Sequence, residues 1–202
     1  MVTNMKTTLR SPTPVGDLPI VSGSRCLDLV NTVVSFGRPA ARDSLVDSEA
    51  LRRWAERIGF AEASPAARDD EKTFARARRL RDAIGWTADA LAAGRTAPAA
   101  ALATLGDEAS RALSARRLIS GRKGLEWQGT GRGLDRLLNE LALEAANLLT
   151  DPNLAAVRRC LAQDCSWFFL DRSRNHSRRW CAMGDCGNRA KARRRRSRAQ
   201  AT

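Results

Sequence analysis

The sequence predicts a mainly α fold, on three observations. Apolar residues recur at helical spacing through most of residues 20–152. One stretch inside that span reads instead as a strand pair around a Gly-flanked turn. From about residue 153 the pattern breaks, and cysteines and arginines cluster. The expected architecture is a helical N-terminal domain (20–152) with a small β-hairpin. A small C-terminal four-cysteine module (153–202) follows, built from a β-hairpin and a basic helix. Residues 1–19 read as a flexible leader, because Pro12, Pro14, Gly16 and Pro19 discourage regular structure.

The elements follow in order. Leu27, Val30 and Val34 fit one helix, ending at Gly37–Pro39. Asp47 is placed to cap a second helix, whose Leu51, Trp54, Ala55 and Ile58 fall at i, i+3, i+4 and i+7, with Gly59 as its stop. A third helix begins near Asp69 or Asp70 and runs to Gly94, with Phe74, Ala77, Leu80, Ile84, Ala88 and Leu91 inside. Pro98 suits the first turn of a fourth, with Leu102, Leu105, Ala109 and Leu113 as its buried face. Arg117–Ser120 and Leu125–Gln128 flank Gly121–Gly124 as the hairpin. Leu134, Leu137, Leu138, Leu141, Ala145, Leu148 and Leu149 then hold helical period up to Asp151–Pro152.

Cys160, Cys165, Cys181 and Cys186 form two C-x4-C pairs separated by fifteen residues. Two such knuckles can bring four thiolates to one tetrahedral centre, with Zn–S bonds of about 2.3 Å. Four thiolates close the shell, so the expected Zn2+ is structural rather than catalytic. Trp167–Leu170 is a β-prone run inside the spacer and predicts a hairpin between the knuckles. Cys26 stands alone and reads as a small buried hydrophobe. His176, the one histidine, reads as a solvated loop residue outside the shell. It has no nearby carboxylate pair, and no nucleophile elbow or phosphate-binding Gly loop occurs, so no enzyme is expected.

The net charge of +13 is concentrated at one end. Residues 158–202 hold thirteen Lys/Arg and three acids, whereas the other 157 residues are nearly balanced. A polycationic end points to a polyanion. No apolar run approaches the ~18 residues of a membrane span. Lys6 and Arg10 are not followed by the apolar stretch of a secretory signal. The expected location is the cytoplasm, where paired cysteines serve as metal ligands rather than disulfides. Asn188 is placed to cap a basic helix carrying Arg189, Lys191, Arg193, Arg194, Arg195, Arg196 and Arg198, with Arg178 and Arg179 just before Cys181. Neutralising five to seven phosphates would give a log–log salt slope of roughly −4.5 to −6. Trp167, Phe168 and Trp180 offer stacking surfaces, the basis of an alternative RNA-binding or ribosome-associated reading.

The segments Arg159-Cys160, Cys165 to Asp171, Ser173-Arg174-Asn175, Arg178 to Met183 and Cys186-Gly187-Asn188-Arg189-Ala190-Lys191 resemble the CGNR zinc-finger family. Upstream, Leu27-Asp28-Leu29-Val30-Asn31-Thr32 resembles the motif opening the helical ABATE domain usually fused to that finger. The resemblance implies a bacterial transcription regulator, of a kind sometimes called stress-induced. It also implies that Cys160, Cys165, Cys181 and Cys186 are the ligands and that the C-terminal end contacts DNA. The expected contacts are Arg178, Arg179, Arg189, Lys191, Arg193, Arg194 and Arg196. The helical domain is then expected to form a homodimer or sense a small-molecule effector. Asp28, Asn31 and Thr32 have two readings, as lining for a ligand pocket or as hydrogen-bonding ties within the fold.

Overall fold

The computed structural model describes residues 13–38, 41–60, 71–151 and 157–200. The chain builds a helical body from α1 (Arg25–Val30), α2 (Ser48–Arg57), α3 (Glu71–Ala92), α4 (Ala99–Ser114) and α5 (Gly133–Thr150). Short α1 lies at its centre, with Cys26, Leu27, Leu29 and Val30 fully buried. A distant carboxylate caps its first turn. Glu144 on α5 accepts from the Cys26 N–H (3.2 Å) and from the Ser24 hydroxyl (2.6 Å), satisfying donors that a helix start leaves open.

The predicted first helix is too long. The chain leaves the helix after Val30, and Val33–Val34 (β1) pairs antiparallel with Arg42–Asp43 (β2). The β-branched pair Val33-Val34 suits that strand, and Ser35 turns with φ 61°. Pro39, at the expected helix end, lies outside the described residues. Asp47 caps α2 as expected, accepting from the Ala50 N–H at 2.7 Å, and Leu51, Trp54 and Ala55 are fully buried.

Along α3, Ala77, Leu80, Ile84 and Ala88 face inward as read, but Leu91 is exposed near the helix end. The expected start at Asp69 or Asp70 lies outside the described residues. Pro98 is the N-cap of α4 rather than part of its first turn. The buried face of α4 also differs: it is Ala101, Leu105, Glu108 and Ala112, while Leu102 and Leu113 are 48% and 60% exposed. A buried charge sets this rotation. Arg76 on α3 reaches Glu108 (2.6 Å), Asp135 (2.8 Å) and Asn139 (2.7 Å), joining α3, α4 and α5 at one guanidinium. A buried charge is tolerated only when paired, so Glu108 turns inward to meet it.

The hairpin forms slightly longer than predicted, as β3 (Arg116–Gly121) and β4 (Gly124–Gly129) around Arg122-Lys123. Leu134, Leu137, Leu138, Leu141, Ala142 and Ala145 form the fully buried stripe of α5. Two leader residues belong to the body instead: Val15 and Leu18 are buried, and Arg57 donates to the Leu18 carbonyl at 2.8 Å. Residues 1–12 lie outside the described set.

In the C-terminal module, β5 (Val157–Arg159) pairs antiparallel with β6 (Phe168–Leu170). The hairpin expected inside the spacer is therefore corrected: its β-prone run pairs with the strand before Cys160. Strand alternation then divides β6 between two cores. Phe168 and Leu170 join the core of the body, whereas Phe169 packs with the cysteines. The final element is α6 (Asn188–Gln200).

Candidate metal centre and nucleic-acid interface

All four knuckle cysteines are buried, and their sulfurs lie within 4.8 Å of one another. Cys181 Sγ is 3.8 Å from Cys165 Sγ and 3.5 Å from Cys186 Sγ. A tetrahedral centre with ~2.3 Å bonds needs sulfurs about 3.8 Å apart, so the cage fits zinc. Backbone bonds shape the first knuckle: Cys160 N–H to the Trp167 carbonyl (2.8 Å) and Cys165 N–H to the Ala162 carbonyl (3.1 Å). They also join the knuckles, through Leu161 N–H and the Arg179 carbonyl at 3.1 Å.

The thiols cannot all ionise by themselves. Hydrogen bonds from Cys165 and Cys181 pull the Cys160 thiol down to about 2. Those same bonds, seen from the other side, push Cys165 and Cys181 up. Burial, and then the negative charge of Cys165, push Cys186 up to about 12. A divalent cation removes this conflict, because metal-bound thiols are deprotonated. His176 stays outside the cage, its Nδ1 lying 3.1 Å from the Asp171 carbonyl. Cys26 is buried in the core of the body rather than with the cage, and burial holds its thiol up at about 12.

The second knuckle explains its own sequence. A Cβ on Gly187 would stand 2.5 Å from Met183 Sδ and 3.1 Å from the Trp180 ring, so a larger residue there must push the exposed methionine side chain aside. A π-turn, Met183–Gly187, leads directly into α6. The expected N-cap role of Asn188 is corrected. Its backbone is already helical (φ −66°, ψ −42°), and its side chain donates back to the Gly184 carbonyl at 2.9 Å.

Asp28, Asn31 and Thr32 are buried and make hydrogen bonds within the fold. Asp28 accepts from the Val21 (3.2 Å) and Ser22 (3.1 Å) N–H groups, and the Thr32 hydroxyl donates to the Leu29 carbonyl (2.7 Å). Asn31 exchanges two hydrogen bonds with the backbone of Phe168. A cavity of about 500 Å³ lies elsewhere, between the β3–β4 hairpin and α5, with Trp127, Arg116 and Asn147 in its lining.

The predicted basic residues separate into distinct settings. Arg178 is committed internally. Its guanidinium lies 4.4 Å from the Phe169 ring centre and donates to the carbonyls of Trp180 (2.9 Å), Val21 (3.2 Å) and Cys181. Arg189 pairs with Asp164 (3.3 Å) and Asp185, and Arg193 reaches Asp164 (3.4 Å). Arg179, Lys191, Arg194 and Arg196 are exposed. Lys191, Arg194, Arg195 and Arg198 fall at i, i+3, i+4 and i+7 and so form one exposed stripe of α6. Ala190, one turn before Arg194 where α6 meets the knuckles, is buried. Arg159 belongs to the motif beside Cys160, but the sequence assigns it no role. It joins the module to the body through Asp89 and the Phe36 carbonyl, with its charge 5.5 Å from the Phe168 ring centre. Only its position beside Cys160 could have signalled it.

The aromatics serve the interior. Phe168 is fully buried, and Trp167 and Trp180 pack against the cysteine cluster. No helix among the described residues is long and apolar enough to cross a membrane.

Two family models match this architecture. Residues 23–152 match the ABATE family, described as "Putative stress-induced transcription regulator". Residues 156–199 match the CGNR zinc finger. No curated protein matches the chain.

Proposed function

The chain belongs to the ABATE family and ends in a CGNR zinc finger, and from that premise we propose that it regulates transcription by binding duplex DNA through α6. The zinc site is structural, with Cys160, Cys165, Cys181 and Cys186 as its closed ligand set. Its role in this reading is to hold the start of α6 against the knuckles and so aim the helix. The exposed stripe of Lys191, Arg194, Arg195 and Arg198 is the observation that carries the proposal. A continuous cationic ridge on a helix anchored at one end fits a phosphate backbone or a major groove.

Arg179 completes the surface from the second knuckle. Lys191, Arg194, Arg195 and Arg198, with Arg179, would neutralise about five phosphates, giving a salt slope of about −4.5. Base contacts would come from the same ridge. Families of this kind are regulators and zinc fingers, and no catalytic constellation is proposed. The proposed site of action is the cytoplasm.

RNA binding is the weaker reading, because the aromatics that would stack unpaired bases are packed into the module. Selection from random duplex DNA tests the proposal, with the zinc-stripped protein as control and single-stranded RNA as competitor at fixed salt. Enrichment of a defined motif, dependent on zinc and resistant to RNA, is expected. A sequence-blind result that survives metal removal would reject specific regulation, and preferential loss to RNA would favour the RNA reading.

A further inference from the structure

We propose that Arg189 is a positioning residue of the metal centre rather than a phosphate contact. Its Nη2 donates to Cys186 Sγ at 3.2 Å. Its Nη1 pairs with Asp185, the residue before that cysteine. Its Nε lies 3.3 Å from Asp164 Oδ2, an electrostatic contact rather than an aligned hydrogen bond. Asp164 belongs to the first knuckle, Asp185 to the second and Arg189 to α6. One guanidinium therefore touches a ligand sulfur and ties together all three parts. Arg193, one turn later, reaches the other oxygen of Asp164 at 3.4 Å and extends the same seam.

The chemistry of a four-thiolate site demands such a group. Zinc with four thiolates carries a formal charge of −2, and ligand atoms are held and tuned by outer N–H donors. Cys165 receives one from the backbone of Trp167 at 3.5 Å. Cys186 receives one from Arg189, together with a full positive charge. A lysine carries its donors on a single nitrogen at the end of a flexible stem, whereas the planar arginine fork meets these three partners with three different nitrogens. A phosphate approaching this guanidinium would have to compete with a thiolate and two carboxylates already paired with it. Arg194, Arg195 and Arg196 of α6 are exposed and carry no such set of partners among the described residues.

The inference rests on the zinc site and not on DNA binding, so the two can fail separately. The test uses full-length protein as wild type, Arg189→Lys, Arg189→Met and Arg194→Met. A chelator strips the zinc while its release is timed, and the cobalt-loaded forms supply a thiolate-to-metal charge-transfer spectrum. Both Arg189 variants should lose zinc about ten- to a hundredfold faster, with a shifted spectrum. Arg194→Met should match wild type in both. Wild-type release and an unshifted spectrum in Arg189→Lys would overturn the inference. So would a fall of about one in the DNA salt slope of Arg189→Met with zinc retention unchanged. Where Arg189→Met does not load metal, the double variant Asp164→Asn, Asp185→Asn replaces it. That variant leaves the arginine in place but unanchored. It should also release zinc faster, and wild-type retention there overturns the inference equally.

Discussion

Asn31 and Phe168 lie 137 positions apart and are joined like neighbouring strand residues. The Asn31 amide donates to the Phe168 carbonyl at 2.9 Å and accepts from its N–H at 2.8 Å. The side chain thus continues the β5–β6 ladder into the body, which makes the zinc module an extension of the helical core. Asn31→Ala leaves two buried backbone groups without partners and should cost about 2–5 kcal/mol. Denaturant unfolding followed by circular dichroism and by zinc release should give coincident transitions in both proteins, shifted together in the variant. Zinc lost well before the body unfolds would separate the two units.

Adjacent residues on β6 should fail differently. Phe168 faces the body and Phe169 the cysteines. Either change to alanine should destabilise by about 3–5 kcal/mol. Timed chelation under native conditions distinguishes them: Phe169→Ala should release zinc much faster than Phe168→Ala. Equal release from both would mean that the strand does not divide the two cores.

Gly85 sits inside α3, where alanine would ordinarily be better by about 1 kcal/mol. Here a Cβ would stand 2.4 Å from the buried Phe36 ring, which packs against Trp86 and Phe168. Overpacking should prevail, and Gly85→Ala should lower stability by about 1–3 kcal/mol. A raised melting temperature would show that Phe36 can move aside freely.

The thiols should titrate as four plus one. Burial holds the Cys26 thiol up at about 12, so at pH 8 the folded protein keeps almost no reactive thiolate there. Because this shift is upward, reactivity should rise only as the pH approaches that value. A disulfide reagent should find few thiols in the zinc-loaded protein, four once chelation has removed the metal that folds the knuckles, and the fifth only in denaturant. Five fast thiols after chelation alone would mean that the body opens when the metal leaves.

Local pattern explains which features were legible in the sequence. The cysteine spacing announced the cage because four thiolates in two equal knuckles have few other uses. The stripes of α2, α3 and α5 were visible because their buried residues are apolar and periodic. The face of α4 was misread because a buried ion pair, Arg76 with Glu108, outweighed the leucines, and charge at a core position carries no periodic signal. Val34 fitted a helix by spacing alone: in β1 it is Val33 that is buried, and Val34 is half-buried. The roles of Arg178, Arg189 and Asn31 depend on partners brought together by the fold, such as the Phe169 ring, Asp164 and the Phe168 backbone. Composition showed that the end of the chain was basic. It could not show which arginines were already engaged.

The proposal that a zinc-anchored helix binds DNA is tested most directly by one salt titration. Affinity for duplex DNA would be measured from low to high salt with the zinc-loaded protein, the zinc-stripped protein and the double variant Arg194→Ala, Arg195→Ala. The expected log–log slope is about −4.5 for the loaded protein, flattened by nearly two in the double variant, with a clear loss of affinity on removing zinc. Equal affinity with and without zinc, together with an unchanged slope in the double variant, would contradict it.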